Sequence, residues 1–223
     1  MAKGLTIRPT VRTVGSKYRP GVIVVAGLGL VGLGLAGLGL AGCSPAGHAP
    51  SGSLEGRVTV APRIVFSLPP PAALDRAVEA SQLVTAHYRN ETFVFETHIS
   101  VTPARLLAVG TDMLGRRAMT IEWTGSDLKV EAAPWVPPTL RARNVVADIM
   151  LVHWPESAVR AGLGPGATLR ASGSTRRVIA IDGHDTIRID RAIGSSERWS
   201  GRWSYRNLGL GYDLDIQSSE PGP

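Results

Sequence analysis

From about residue 82 onward, apolar and polar side chains alternate with a period of two, the mark of strands that bury one face and wet the other. Phe93, Phe95, Thr97, Ile99 and Val101 fall on one face, with Thr92, Val94, Glu96, His98 and Ser100 on the other. Met119, Ile121 and Trp123 repeat the pattern against Thr120 and Glu122, as do Leu128 and Val130 against Lys129 and Glu131. Further strands are predicted at 105–111, 118–123, 167–172, 177–181, 186–190, 199–205 and 211–216. Turn chemistry separates them at Arg89-Asn90-Glu91, Leu114-Gly115, Thr124-Gly125-Ser126-Asp127 and Asp182-Gly183. Connections this short imply an antiparallel meander. About ten strands in one sheet curl strongly, either closing or leaving a concave inner face.

Helical spacing interrupts the alternation in two places. Residues 72–80 follow the Pro69-Pro70-Pro71 stop and put Leu74, Ala77 and Val78 on one side. Residues 141–154 carry an apolar stripe of Val145, Val146, Ile149, Met150 and Val152 or His153, interrupted by Asn144 and Asp148. Pro155 ends this helix, and a short second piece over 156–161 stops at Gly162. The stripe is expected to bury on the concave face of the sheet.

A different pattern occupies the amino-terminal end. Lys3, Arg8, Arg12, Lys17 and Arg19 precede an uncharged apolar run over residues 21–42, which leads into Leu40-Ala41-Gly42-Cys43. A charged segment, an apolar segment and small residues in that order make an export signal, and the tetrapeptide reads as a lipobox. The lipobox implies cleavage before Cys43, a covalent diacylglyceryl group on its thiol, and an N-acyl lipid such as palmitate on the new amino terminus. A plain transmembrane helix is the alternative, since about 20 apolar residues span a bilayer; the many glycines weaken such a helix. The run also matches the dinucleotide-binding pattern at Gly27, Gly29 and Gly32, but no amphipathic helix or well-placed acidic residue follows. The predicted organisation is a signal peptide at 1–42, a lipidated tether at 43–53, a folded domain at 54–217 and a disordered tail at 218–223. Ser44, directly after Cys43, favours sorting to the outer membrane.

Removing the signal changes the charge. The whole chain has 24 basic and 18 acidic residues, but five of the basic ones leave with the signal, so the remainder is close to neutral. No clustered basic stripe with interleaved aromatics survives, which excludes nucleic acid as a partner. Cys43 is the only cysteine, so no disulfide forms. His48, His87, His98, His153 and His184 show no metal-ligand spacing, and the serines include no G-x-S-x-G elbow. Metal, cofactor and enzymatic activity are therefore not expected.

Taken in order and spacing, Leu68-Pro69-Pro70-Pro71, Met113-Leu114-Gly115, Asn144 through Trp154-Pro155 and Gly211-Tyr212-Asp213-Leu214-Asp215-Ile216 make the chain resemble a family of LolB-like bacterial lipoproteins. The resemblance covers most of residues 63–217. It implies a mainly β fold, an incomplete antiparallel β-barrel of the LolA/LolB kind with short helices covering its concave face. It implies an outer-membrane lipoprotein, anchored on the periplasmic face, that holds acyl chains in a hydrophobic cavity. The implied partners are membrane lipid, an acylated lipid or lipoprotein cargo, and a periplasmic LolA-like carrier.

Leu114 and its neighbour Met113 occupy the turn that the resemblance assigns to membrane delivery. Arg116 and Arg117 flank it, and an apolar wedge beside cations suits an anionic headgroup zone; the alternative is a leucine folded back on the sheet. Candidate cavity-lining residues are Phe93, Phe95, Met119, Ile121, Trp123, Val146, Ile149, Met150 and Trp154. Tryptophans at these places serve equally as ordinary core. The competing function is a structural or assembly lipoprotein with a filled barrel that binds a protein partner.

Overall fold

Two strands that the alternation had not singled out begin the fold: β1 (Arg57–Ala61) and β2 (Ile64–Ser67) form an antiparallel hairpin around Pro62-Arg63. The computed structural model describes residues 56–192 and 198–221; the predicted signal, Cys43 and the tether lie outside them. A first meander follows, β3 (Val78–Tyr88), β4 (Glu91–Val101), β5 (Leu106–Asp112), β6 (Arg117–Trp123) and β7 (Leu128–Ala132). Then come α1 (Ala142–His153) and α2 (Glu156–Gly162). A second meander closes the chain, β8 (Ala167–Ser172), β9 (Arg176–Ile181), β10 (His184–Arg191), β11 (Gly201–Asn207) and β12 (Tyr212–Ser219).

The two meanders are one sheet. Its order is β7-β6-β5-β4-β3-β12-β11-β10-β9-β8, antiparallel throughout, joined by the β3–β12 pair in the middle. This differs from a simple meander, because the first and last long strands are neighbours. The outermost strands, β7 and β8, do not pair with each other, so the sheet is open. The helices lie in the connection that carries the chain from one edge to the other, which is why they fall mid-sequence.

Local chemistry explains the hairpins. At the β9–β10 turn, Asp182 and Gly183 both have positive φ, 50° and 79°. That geometry matches the twist of the flanking strands, and Asp-Gly adopts it at low cost. Along β4 the predicted inner face is the buried one, ending in Ile99 and Val101.

Two expectations fail. Residues 72–80 are not a helix: Pro71–Ala73 make one 3-10 turn and the chain is extended from Val78. Val78, Ala80 and Gln82 bury on one face of β3 and sit opposite Val101, Ile99 and Thr97. A ladder with full-length partners outweighs the weak helical spacing of three apolar residues. Nor does a disordered tail begin at residue 218, since β12 runs to Ser219. Ser218 is buried and its hydroxyl donates to the Trp199 carbonyl, while Glu220 takes two hydrogen bonds from Arg76 at 2.7 and 2.6 Å.

Helix α1 packs on β1 and β6. Its residues from Val146 to His153 are all buried, together with the inward residues of β1 and β2 and the tryptophans Trp123, Trp154, Trp199 and Trp203. Helix α2 ends against β2, where Phe66 bridges to Leu163.

Candidate functional site: an apolar cavity beside helix α1

A cavity of about 500 Å³ lies between α1 and the middle of the sheet, within the range of about 300–1,000 Å³ usual for small-molecule sites. The alternation of the strands points their apolar side chains into it: Val84 from β3, Phe93 and Phe95 from β4, Met119 and Ile121 from β6, Leu214 and Ile216 from β12. The Phe93 and Phe95 rings stack with centroids 6.4 Å apart. Small residues leave the space open, with Ala86, Ala108 and Gly110 on the same wall. Opposite them, α1 offers Asn144, Val145, Asp148, Ile149 and His153.

Polar groups at this wall form two buried networks. The Gln82 amide lies 2.8 Å from His153 Nε2 and 3.3 Å from the Ser218 hydroxyl, and His153 Nδ1 lies 3.1 Å from the Arg198 carbonyl. Trp199 stacks on the His153 ring at 4.0 Å and Trp203 meets it edge-on at 5.7 Å. Burial in this aromatic box pulls His153 down to about 3; its bond to Arg198 opposes the shift, and the Arg177 and Arg198 charges add to it. In the second network the Tyr212 hydroxyl donates to Asp148 Oδ2 at 2.7 Å. Burial raises Asp148 to about 7, against the pull of the Tyr205 and Tyr212 hydroxyls. Burial and the Asp148 charge in turn push both tyrosines above the ordinary phenol range. Asn144 donates to the Thr59 carbonyl and so ties α1 to β1.

Of the predicted lining, Phe93, Phe95, Met119, Ile121 and Ile149 face the cavity. Trp123, Val146, Met150 and Trp154 do not. All four are fully buried in the core. The reason is the β1–β2 hairpin: packed on α1, it gives the helix a second surface to bury, so the 145/149 flank meets the cavity and the 146/150 flank joins the core. Trp123 turns its indole N–H to the Pro69 carbonyl at 3.0 Å. Trp154 packs edge-on with Trp199, ring centroids 6.2 Å apart. Cys43 lies outside the described residues.

Met113 and Leu114 are in the β5–β6 turn and are 65% and 81% exposed. Leu114 is not folded back. Asp112 builds the turn, its Oδ1 accepting from the backbone N–H of Leu114 and Arg116 at 3.0 and 2.9 Å, its Oδ2 from Arg116 Nε at 2.7 Å. What little burial the carboxyl has raises its pKa, but these bonds outweigh it and hold Asp112 below its usual value. Gly115 supplies the positive φ of 76° that the turn requires. The Arg116 guanidinium stands 4.9 Å over the half-exposed Trp135 ring, placing a cation and a further aromatic beside the leucine.

The polar networks are what sequence reasoning missed. Their one visible signal was Asp148, a carboxylate interrupting an apolar helical stripe; Gln82 and Tyr212 gave none, because each meets its partner across more than 60 residues of chain. Among the described residues no group of three or more His, Cys, Asp or Glu side chains could hold a metal ion, and no helix is long and apolar enough to cross a membrane. No curated protein matches the chain. Residues 79–220, well over half of the sequence and nearly the whole ten-stranded sheet with its helices, match the family described as protein of unknown function (DUF3261), and the chain belongs to that family.

Proposed function

We propose that this protein is a membrane-anchored, non-enzymatic lipoprotein that takes the acyl chain of a lipid or lipidated protein into its cavity and passes it to the outer membrane. The observation that carries this reading is the apolar cavity of about 500 Å³ beside α1, open enough to admit a ligand and walled by phenylalanine, methionine and aliphatic side chains. Moving alkyl surface out of water supplies about 0.8 kcal/mol per methylene, and methionine repacks easily around flexible chains. In this reading the open sheet with α1 across it is an incomplete barrel of the LolA/LolB kind. Cys43 carries the lipid that tethers the domain, and the Met113-Leu114 turn approaches the bilayer. A structural lipoprotein that binds a protein partner through a filled barrel fits the cavity less well.

Photolabelling tests the proposal. The full-length protein in phosphatidylcholine nanodiscs is exposed to a fatty acid bearing a chain-terminal diazirine, and the cross-links are mapped by mass spectrometry. Adducts at Phe95, Met119 or Ile149, competed by unlabelled fatty acid, are expected. Adducts confined to exposed residues would overturn the reading.

A further inference from the structure

The hydrogen-bond directions at the cavity wall are determined by its neighbours. Ser218 has one hydroxyl proton and gives it to the Trp199 carbonyl at 2.5 Å, so toward Gln82 it only accepts. His153 Nδ1 faces the Arg198 carbonyl and therefore carries the ring proton, which leaves Nε2 as an acceptor. The Gln82 nitrogen must then point at both, which fixes the amide orientation and spends both of its hydrogens. No donor among the described residues reaches Gln82 Oε1, although Gln82 is 3% exposed and lines the cavity.

Asp148 is better supplied. Its Oδ2 accepts from the Tyr212 hydroxyl, the Tyr205 hydroxyl also bonds to it, and burial keeps the carboxyl protonated up to about pH 7, so it offers a proton of its own. The Asn144 amide on the Thr59 carbonyl and the Tyr212 hydroxyl on Asp148 do not serve Gln82 Oε1. Arg141, the only guanidinium on the described lining, is exposed. The deep wall thus holds one acceptor in want of a proton, Gln82 Oε1. A bare alkyl chain seals it from water with nothing in return, and an inward-pointing carboxylate sets a further acceptor against it.

We propose that the natural occupant is an alkyl or acyl ligand carrying a hydrogen-bond donor in its buried part, a chain hydroxyl or an amide N–H, received by Gln82 Oε1. This rests on the acyl-binding reading and narrows its ligand from any alkyl chain to a hydroxylated or amide-linked one.

Competition against the photolabel separates the two ideas. Unsubstituted alkanoates from decanoate to hexadecanoate are compared with their ω-hydroxy and mid-chain hydroxy counterparts, all of which carry the same carboxylate. An apolar chamber without that acceptor penalises every added hydroxyl. Here a hydroxylated competitor is expected to be roughly three- to tenfold more potent at its best length and position. Gln82→Met, which removes the acceptor, is compared with the parent and should abolish the advantage. If no hydroxylated chain outperforms its parent chain, or if the advantage survives Gln82→Met, this proposal falls while acyl binding stands. Absence of cavity labelling by any chain overturns both. The parent ranking needs no variant to fold.

Discussion

The Gln82 amide donates to Nε2 of His153 across 2.8 Å of a fully buried interface, joining the centre of the sheet to the carboxyl-terminal end of α1. A neutral histidine with one proton directed at the Arg198 carbonyl and one lone pair directed at a glutamine is a rigid link. It fixes where the helix crosses the sheet, and with that the depth of the cavity.

The two displaced titrations on α1 oppose each other. Folded Asp148 holds its proton up to about pH 7 against a usual value of 3.8, so between about pH 4 and 6.5 folding takes up a proton and stability falls as pH rises. Folded His153 stays neutral down to about pH 3 against a usual 6.5, so over the same window folding releases a proton and stability rises with pH. Each slope is about 1.4 kcal/mol per pH unit, and they offset. Urea midpoints measured across this window should therefore show Asp148→Asn gaining stability with pH relative to the parent, and His153→Gln losing it. Parallel profiles for all three proteins would contradict the assignment.

At the end of α2, Gly162 admits no side chain. A Cβ there would stand 2.5 Å from the Ser67 carbonyl oxygen and 2.6 Å from the Phe66 ring. Gly162→Ala must force β2 and α2 apart, and a loss of about 1–3 kcal/mol is expected by urea denaturation. Gly110→Ala is the control: the new methyl meets nothing nearer than the Met119 carbonyl at 3.9 Å. Equal losses in both variants would remove close packing as the explanation.

Sequence legibility followed the range of the interactions. The β3–β4 face, the Asp182-Gly183 hairpin and helix 142–153 depend on neighbours a few residues away, and their periodicity and turn chemistry show it. The β3–β12 pairing brings Val84 opposite Ile216, and nothing local in either strand names its partner. The same limit hid half of the site. Phe93 and Phe95 declared their face by alternation, whereas the division of α1 between cavity and core depended on the β1–β2 hairpin, whose packing is tertiary. Residues 72–80 misled because Leu74, Ala77 and Val78 satisfy helical spacing while the competing ladder lies in β4.

Gly110 offers a way to close the cavity without disturbing the core. It lines the chamber, and its missing side chain has free space ahead. Gly110→Leu should fill part of that space with little change in stability, since a strand accepts the residue and its Cβ meets nothing nearer than 3.9 Å. Displacing alkyl groups from a fitted site costs about 1–3 kcal/mol, so fatty-acid labelling of Phe95 and Ile149 should drop about tenfold. Retained labelling in a folded Gly110→Leu protein would mean that the chain binds elsewhere.

Leu114 tests delivery apart from binding. It stands 81% exposed on a turn that Asp112 and Gly115 hold in shape, with Arg116 and Arg117 beside it. Leu114→Glu touches no packed surface, so stability should change by no more than about 0.5 kcal/mol and cavity labelling should persist. Entry of a leucine into the bilayer is worth about 1.5–3 kcal/mol, and a carboxylate beside anionic headgroups reverses its sign. Transfer of a fluorescent acyl lipid to anionic vesicles should slow roughly tenfold or more, and Leu114→Phe should transfer as the parent does. Because the flanking arginines attract the same headgroups, the parent rate should also fall as salt rises. An unchanged rate for Leu114→Glu, with binding intact, would leave the exposed leucine without a part in delivery and move the membrane contact to another face of the domain.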